Sequence, residues 1–129
     1  MKSLLLDKNY TYTVGDIAFF RRFYQEQPDE SKAQIKELVS SGQLDMVHGG
    51  MVSPDEACPN YADVLRNFEM GHDFLWEEFG VRPRIGWQLD PFGHSAAYAE
   101  IYAQMGLETM VFSRIRTEDF MQRKAAKKL

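Results

Sequence analysis

Short runs of β-branched and aromatic residues alternate along this chain with longer stretches whose apolar residues return every three or four positions. Tyr10-Thr11-Tyr12-Thr13-Val14 has the composition of a strand, and Gly15 breaks it. Asp16 stands where it can cap a helix with Ile17, Phe20, Phe23 and Tyr24 on its inner face. Pro28 ends that element. Asp29 or Ser31 caps the next, which turns Ile35, Leu38 and Val39 inward and places Gly42 just past its end. Residues 44–48 predict a second strand, closed by Gly49-Gly50, and residues 51–60, with Pro54 and Pro59, predict an irregular loop. Tyr61, Val64, Leu65, Phe68, Leu75, Trp76 and Phe79 keep the 3.6-residue period of one long helix, which Gly80 closes. Residues 85–89 read as a buried third strand. Ser95 then caps a helix over residues 95–105, with Tyr98, Ile101, Tyr102 and Met105 on one face, and residues 109–113 read as a fourth strand.

Strands separated by helices predict an α/β fold of parallel βα repeats with right-handed crossovers. Four strands with open edges do not close a barrel, so the pattern predicts a slice of a larger barrel-like domain. The whole chain, residues 1–129, reads as one partial catalytic domain, with residues 1–9 as a lead-in and 123–129 as a basic tail. No internal repeat or interior linker interrupts it.

Composition narrows the classes. Hydrophobic residues make up 44% and aromatics 13%, which fits a packed domain rather than disorder. The net charge of −4 advertises no nucleic-acid surface. Arg123, Lys124, Lys127 and Lys128 near the end read as a solvated, fraying terminus. A single cysteine, Cys58, excludes an internal disulfide and a cysteine zinc cluster. Leu4-Leu5-Leu6 is too short for a signal peptide or membrane span.

The chemistry concentrates at Asp90. The run from Ile85 to Leu89 delivers this carboxylate to a strand exit, where Pro91 and Gly93 force a turn. Loops at the carboxyl ends of parallel strands are where ligands bind in such folds. Arg114 lies 24 positions later, one strand-to-strand step around a helix. If the two strands are parallel neighbours, both residues emerge at the same mouth, with backbones roughly 5 Å apart. A cation there favours the ionised carboxylate that a glycosidase nucleophile or a zinc ligand must be.

The block Gly86-Trp87-Gln88-Leu89-Asp90-Pro91-Phe92-Gly93-His94-Ser95 resembles the nucleophile segment of the α-mannosidases of glycoside hydrolase family 38, close to the acidic, lysosomal-type members. The likeness runs from about Ser3 to about Arg114. It includes Asp16-Ile17-Ala18-Phe19-Phe20, Gly49-Gly50 followed by Asp55-Glu56-Ala57, and Ala103-Gln104-Met105-Gly106. Several motifs in one order are more specific than any single pattern. The resemblance implies part of a seven-stranded barrel-like glycoside hydrolase/deacetylase domain. It implies cleavage of terminal α-mannosidic bonds in glycoprotein-type oligosaccharides with net retention, assisted by zinc. Asp90 is then nucleophile and zinc ligand, Arg114 lies in the sugar site, Trp87 forms its wall, and His94 supports the turn. A lysosomal or secretory compartment follows by the same likeness, although this chain opens without a signal sequence.

Departures are as informative. The family's His-x-Asp zinc pair has no counterpart, because none of His48, His72 and His94 has Asp two positions later. Remaining ligands, and the second carboxylic acid that retention needs about 5 Å from the first, are expected outside the chain. Asp55 and Glu56 read as caps or tethers of the mouth loop, and His48 as a strand-end histidine with some ligand character. Met51 stands where the family usually has tryptophan. The isolated chain is therefore expected to be inactive. Two other readings compete: a non-catalytic carbohydrate-binding or interaction remnant, and a metal-dependent polysaccharide deacetylase. The second would want a His-x-x-x-His pair on a helix, which the sequence lacks.

Overall fold

The structure is a computed structural model that describes residues 2–127. Ten elements follow in the order α1 (Lys2–Leu6), β1 (Tyr12–Val14), α2 (Ile17–Gln25), α3 (Asp29–Ser40), β2 (Leu44–Met46), α4 (Tyr61–Phe79), β3 (Ile85–Gln88), α5 (Ala96–Gln104), β4 (Thr109–Phe112) and α6 (Thr117–Ala125). The four expected strands and four expected helices are present; α1 and α6 are additional. In α6, Glu118 and Asp119 lie in the first turn and Arg123 and Lys124 in the last, which suits the helix dipole. Arg123 also meets Asp119 at 2.9 Å, so the first two cations of the expected fraying tail are helical. Lys128 and Leu129 lie outside the described residues.

The strands form two parallel pairs. β1 pairs with β2, matching Tyr12 to Leu44, and β3 pairs with β4, matching Ile85 to Thr109 and Gln88 to Phe112. His48 connects them. Its backbone N–H donates to the Ile85 carbonyl at 2.6 Å, and its ring Nδ1 accepts from the Trp87 N–H at 3.1 Å. A side-chain nitrogen thus replaces one backbone acceptor of a ladder. The reason β2 stops at Met46, short of the expected residue 48, is in the same residue: His48 sits at φ 62, outside the extended region.

Two cores hold these layers together. Ile17, Phe20 and Tyr24 of α2 meet Ile35 and Leu38 of α3, Leu44 and Met46 of β2, and Phe74 and Leu75 of α4. Val64 and Phe68 of α4 meet Tyr98 and Tyr102 of α5 in the second. The long helix matches its expected bounds, with Asn60 capping Asp63 N–H and Gly80 at φ 66. Its inner face differs in part. Tyr61 and Trp76 are exposed, and Phe74 is buried in their stead. Gly71 is required there: a Cβ would lie 1.9 Å from the Gly49 carbonyl oxygen, so α4 seats directly on the loop after β2.

Three expected caps are absent. Neither Asp16 nor Ser95 makes a side-chain cap, and Pro28, rather than Asp29 or Ser31, stands at the start of α3. Asp16 Oδ1 instead accepts from Ser53 N–H and Oγ–H, both at 2.8 Å, tying the start of α2 to the mouth loop. Phe23, expected inside, is 38% exposed.

Candidate active site at the exits of β3 and β4

Because Gln88 and Phe112 share a rung, Asp90 and Arg114 each leave the sheet two residues beyond it. Their side chains meet. Arg114 Nε donates to Asp90 Oδ1 at 2.7 Å, and a second guanidinium nitrogen reaches the same oxygen. At the opposite end of the strand pair Arg84 grips both oxygens of Glu108, Nε donating to Oε1 at 2.8 Å and a second nitrogen to Oε2. Ion pairs therefore close both ends of β3–β4.

Energies separate the pair at the mouth from an ordinary stabilising contact. The Asp90 side chain is 81% exposed, and a surface pair contributes at most about 1 kcal/mol. Arg114 adopts φ 57, a left-handed conformation that costs a non-glycine residue roughly 1–2 kcal/mol. The strain equals or exceeds the attraction. Such outliers concentrate at sites where geometry serves something other than stability. The Arg114 guanidinium also stands 4.8 Å from the Phe92 ring centroid, which orients its plane.

A cavity of about 390 Å³ opens beside the pair, lined by Gly15, Asp16, Ser53, Asp55, Trp87, Leu89, Asp90, Pro91 and Phe92. It joins an aromatic wall to carboxylates, the combination that holds a polar ring by one face and its hydroxyls at the edge. Trp87, partly buried, packs over Gly15, where a Cβ would lie 3.2 Å from its ring. A larger, mostly apolar groove of about 480 Å³ lies at Leu4, Tyr12 and Phe20, lined by none of the residues around Asp90 and by no ionisable group capable of catalysis near pH 7.

The other candidate residues fall in place around the turn. His94 Nε2 donates to the Ser113 carbonyl at 2.7 Å, and its Nδ1 lies 3.6 Å from Glu56 Oε1. Asp55 Oδ1 accepts from the Phe92 N–H at 3.0 Å. Glu56, buried, accepts from Gln88 Nε2 at 3.2 Å and from the Ser95 N–H. Both acids tether the mouth loop, as their position in the sequence suggested. Gln88 went unnoticed in the sequence; fully buried, it also donates to the Pro54 carbonyl at 2.9 Å. Its signal was weak, a lone polar residue inside an apolar strand.

His48 is turned away from the cavity into the second core, against Phe68 and Tyr102 at 4.7 and 5.3 Å between ring centroids. Burial, with the nearby His72, pushes its pKa down to about 4, and Nδ1 is engaged by Trp87. His72 Nε2 bonds to the His48 carbonyl at 3.0 Å. Among the described residues no group of three His, Cys, Asp or Glu side chains is placed to hold a metal ion.

The model of the glycosyl hydrolases family 38 N-terminal domain matches residues 1–129. This chain belongs to glycoside hydrolase family 38. A probable alpha-mannosidase of Arabidopsis thaliana is 45% identical over 128 residues, 98% of this chain and 12% of that protein. The lysosomal alpha-mannosidase of Dictyostelium discoideum is 42% identical over 120 residues, covering 93% and 12%. That of Bos taurus is 37% identical over 130 residues, covering 99% and 13%. The family 38 chain thus spans about an eighth of the length of these curated relatives.

Proposed function

We propose that the chain carries the nucleophile-bearing part of a retaining α-mannosidase acting on terminal mannosides of glycoprotein-type oligosaccharides. The observation that carries this is the strained, exposed Asp90–Arg114 pair on the rim of a cavity walled by Trp87 and Phe92. Family membership and mannosidase relatives support the substrate class. In this reading the four strands are a sector of a seven-stranded barrel-like domain, and lysosomal relatives favour an acidic compartment.

The chain's own side chains suggest the following division of work. Asp90 Oδ1 is held by Arg114, which aims the carboxylate; Oδ2 is the oxygen left to attack the anomeric carbon. Trp87 and Phe92 provide apolar faces for the ring, and Asp16 and Asp55 offer acceptors for hydroxyls at the cavity edge. Attack forms the Asp90–C1 ester as the glycosidic C1–O bond breaks, and water later reverses the ester with net retention. The departing oxygen takes its proton from an acid not assigned among these residues.

Zinc does not fit the described residues by themselves. A catalytic zinc takes three protein ligands, and among the described residues Asp90 is not joined by two more His, Cys, Asp or Glu side chains placed to hold one; His48 is buried and engaged.

Titration of the chain with methyl α-mannoside, followed by NMR, tests the reading. The Trp87 indole and Arg114 Nε–H signals should move, less for methyl α-glucoside, and not in Asp90→Asn. Equal shifts with both sugars, or none, contradict it.

A further inference from the structure

We infer that Glu56 is a positioning residue that sets Asp90 against Arg114, acting through His94 and the two ends of the Asp90 turn. Its role in catalysis rests on the reading of that pair given above; its role in geometry does not.

A buried carboxylate needs partners, because an ionised oxygen without them is costly to desolvate. Glu56 has only 3% of its side chain exposed. Its oxygens are met by Gln88 Nε2 at 3.2 Å and by the Ser95 N–H at the start of α5. Gln88 is two residues before Asp90, and Ser95 is five after it. One carboxylate therefore gathers both ends of the turn that carries the nucleophile candidate. Neighbouring Asp55 holds the middle of the same turn through the Phe92 N–H at 3.0 Å.

The clasp extends to the other strand through His94. Its ring packs beside Glu56, with Nδ1 3.6 Å from Oε1 and not hydrogen-bonded to it, and donates from Nε2 to the Ser113 carbonyl at 2.7 Å. A carbonyl only accepts, so the proton must lie on Nε2. Ser113 directly precedes Arg114, the residue held at φ 57. The chain of contacts runs Asp90 turn, Glu56, His94, Ser113, Arg114. An exposed ion pair of about 1 kcal/mol or less does not order two loops by itself, whereas a buried, hydrogen-bonded carboxylate beneath them does.

Exchange of side-chain protons in the ¹⁵N-labelled 129-residue chain tests this. In the wild type, His94 should be protonated on Nε2 and Arg114 Nε–H protected. Glu56→Gln keeps the shape, but its amide nitrogen confronts donors. It should speed exchange of Arg114 Nε–H about tenfold while amides in α2 and α3 keep their rates. Val64→Ala, which loosens the second core without touching the clasp, should leave Arg114 unchanged. His94→Gln, which can still offer an N–H to Ser113, should restore protection that His94→Ala loses. This comparison decides the matter if Glu56→Gln does not fold. Unchanged exchange in Glu56→Gln, equal loss in Val64→Ala, a wild-type proton on His94 Nδ1 alone, or no difference between the two His94 variants overturns the proposal. Mannoside titration run in parallel separates the two claims. Sugar shifts with unchanged exchange sink only Glu56 positioning, and changed exchange without sugar shifts sinks only the mannoside reading.

Discussion

Arg114 Nε donates to Asp90 Oδ1 at 2.7 Å while the Arg114 backbone sits at φ 57, so contact and strain meet in one residue. Glycine adopts that φ without penalty. Arg114→Gly should therefore relieve roughly 1–2 kcal/mol of strain and lose at most about 1 kcal/mol of ion pair. Urea unfolding is expected to show the variant equal to or up to about 1 kcal/mol more stable, even as mannoside shifts at Trp87 disappear. A loss of stability beyond about 1 kcal/mol would mean that the pair is structural.

His48 predicts how the fold responds to acid. Burial and then His72 hold its pKa near 4, whereas in the unfolded chain it stays at 6.5. As pH falls through 6.5 the unfolded state takes up a proton that the folded state refuses. Stability from this residue is full above 6.5, declines between 6.5 and 4, and levels off below. The total is on the order of 3 kcal/mol. His48→Asn can keep an acceptor for the Trp87 N–H and tolerates a positive φ, yet does not titrate. Unfolding free energies at pH 7, 5.5 and 4 should converge between wild type and variant as pH drops. Parallel pH curves would show that His48 is not the group responsible.

Gly71 sits where α4 meets the loop after β2, with no room for a methyl group. Gly71→Ala forces helix and loop apart and disturbs His48, whose carbonyl accepts from His72 on the same helix. Thermal unfolding should reveal a loss of about 3 kcal/mol or more. A change of less than about 1 kcal/mol would place the contact among those that relax freely.

Much of this was legible in the sequence where a signal was local. Gly80 at the end of α4 and the 3.6-residue period before it fixed that helix. The 24-residue step from Asp90 to Arg114 foretold parallel neighbours with a shared exit. What escaped was decided by distant partners. Asp16 looks like a helix cap, but Ser53, 37 positions away, offers two donors to the same oxygen. Residues 44–48 look like one strand, yet His48 turns to a positive φ and spends its ring on Trp87. Glu56 reads as a loop acid because nothing near it in sequence announces that Gln88 and Ser95 will close over it. Trp76 follows the apolar period but lies outside, covered in part by Arg82 at 4.7 Å.

Covalent capture at Asp90 tests the central claim most directly. A 5-fluoro-α-mannosyl fluoride carries its own good leaving group, so the first displacement needs no general acid: C1–F breaks, the Asp90 oxygen bonds to C1, and fluoride departs. The ring fluorine slows hydrolysis of the ester. Intact mass and peptide mapping of the treated chain should find one fluoromannosyl group on Asp90 and none in Asp90→Asn. A label on any other residue, or an equal label in Asp90→Asn, would contradict Asp90 as the nucleophile.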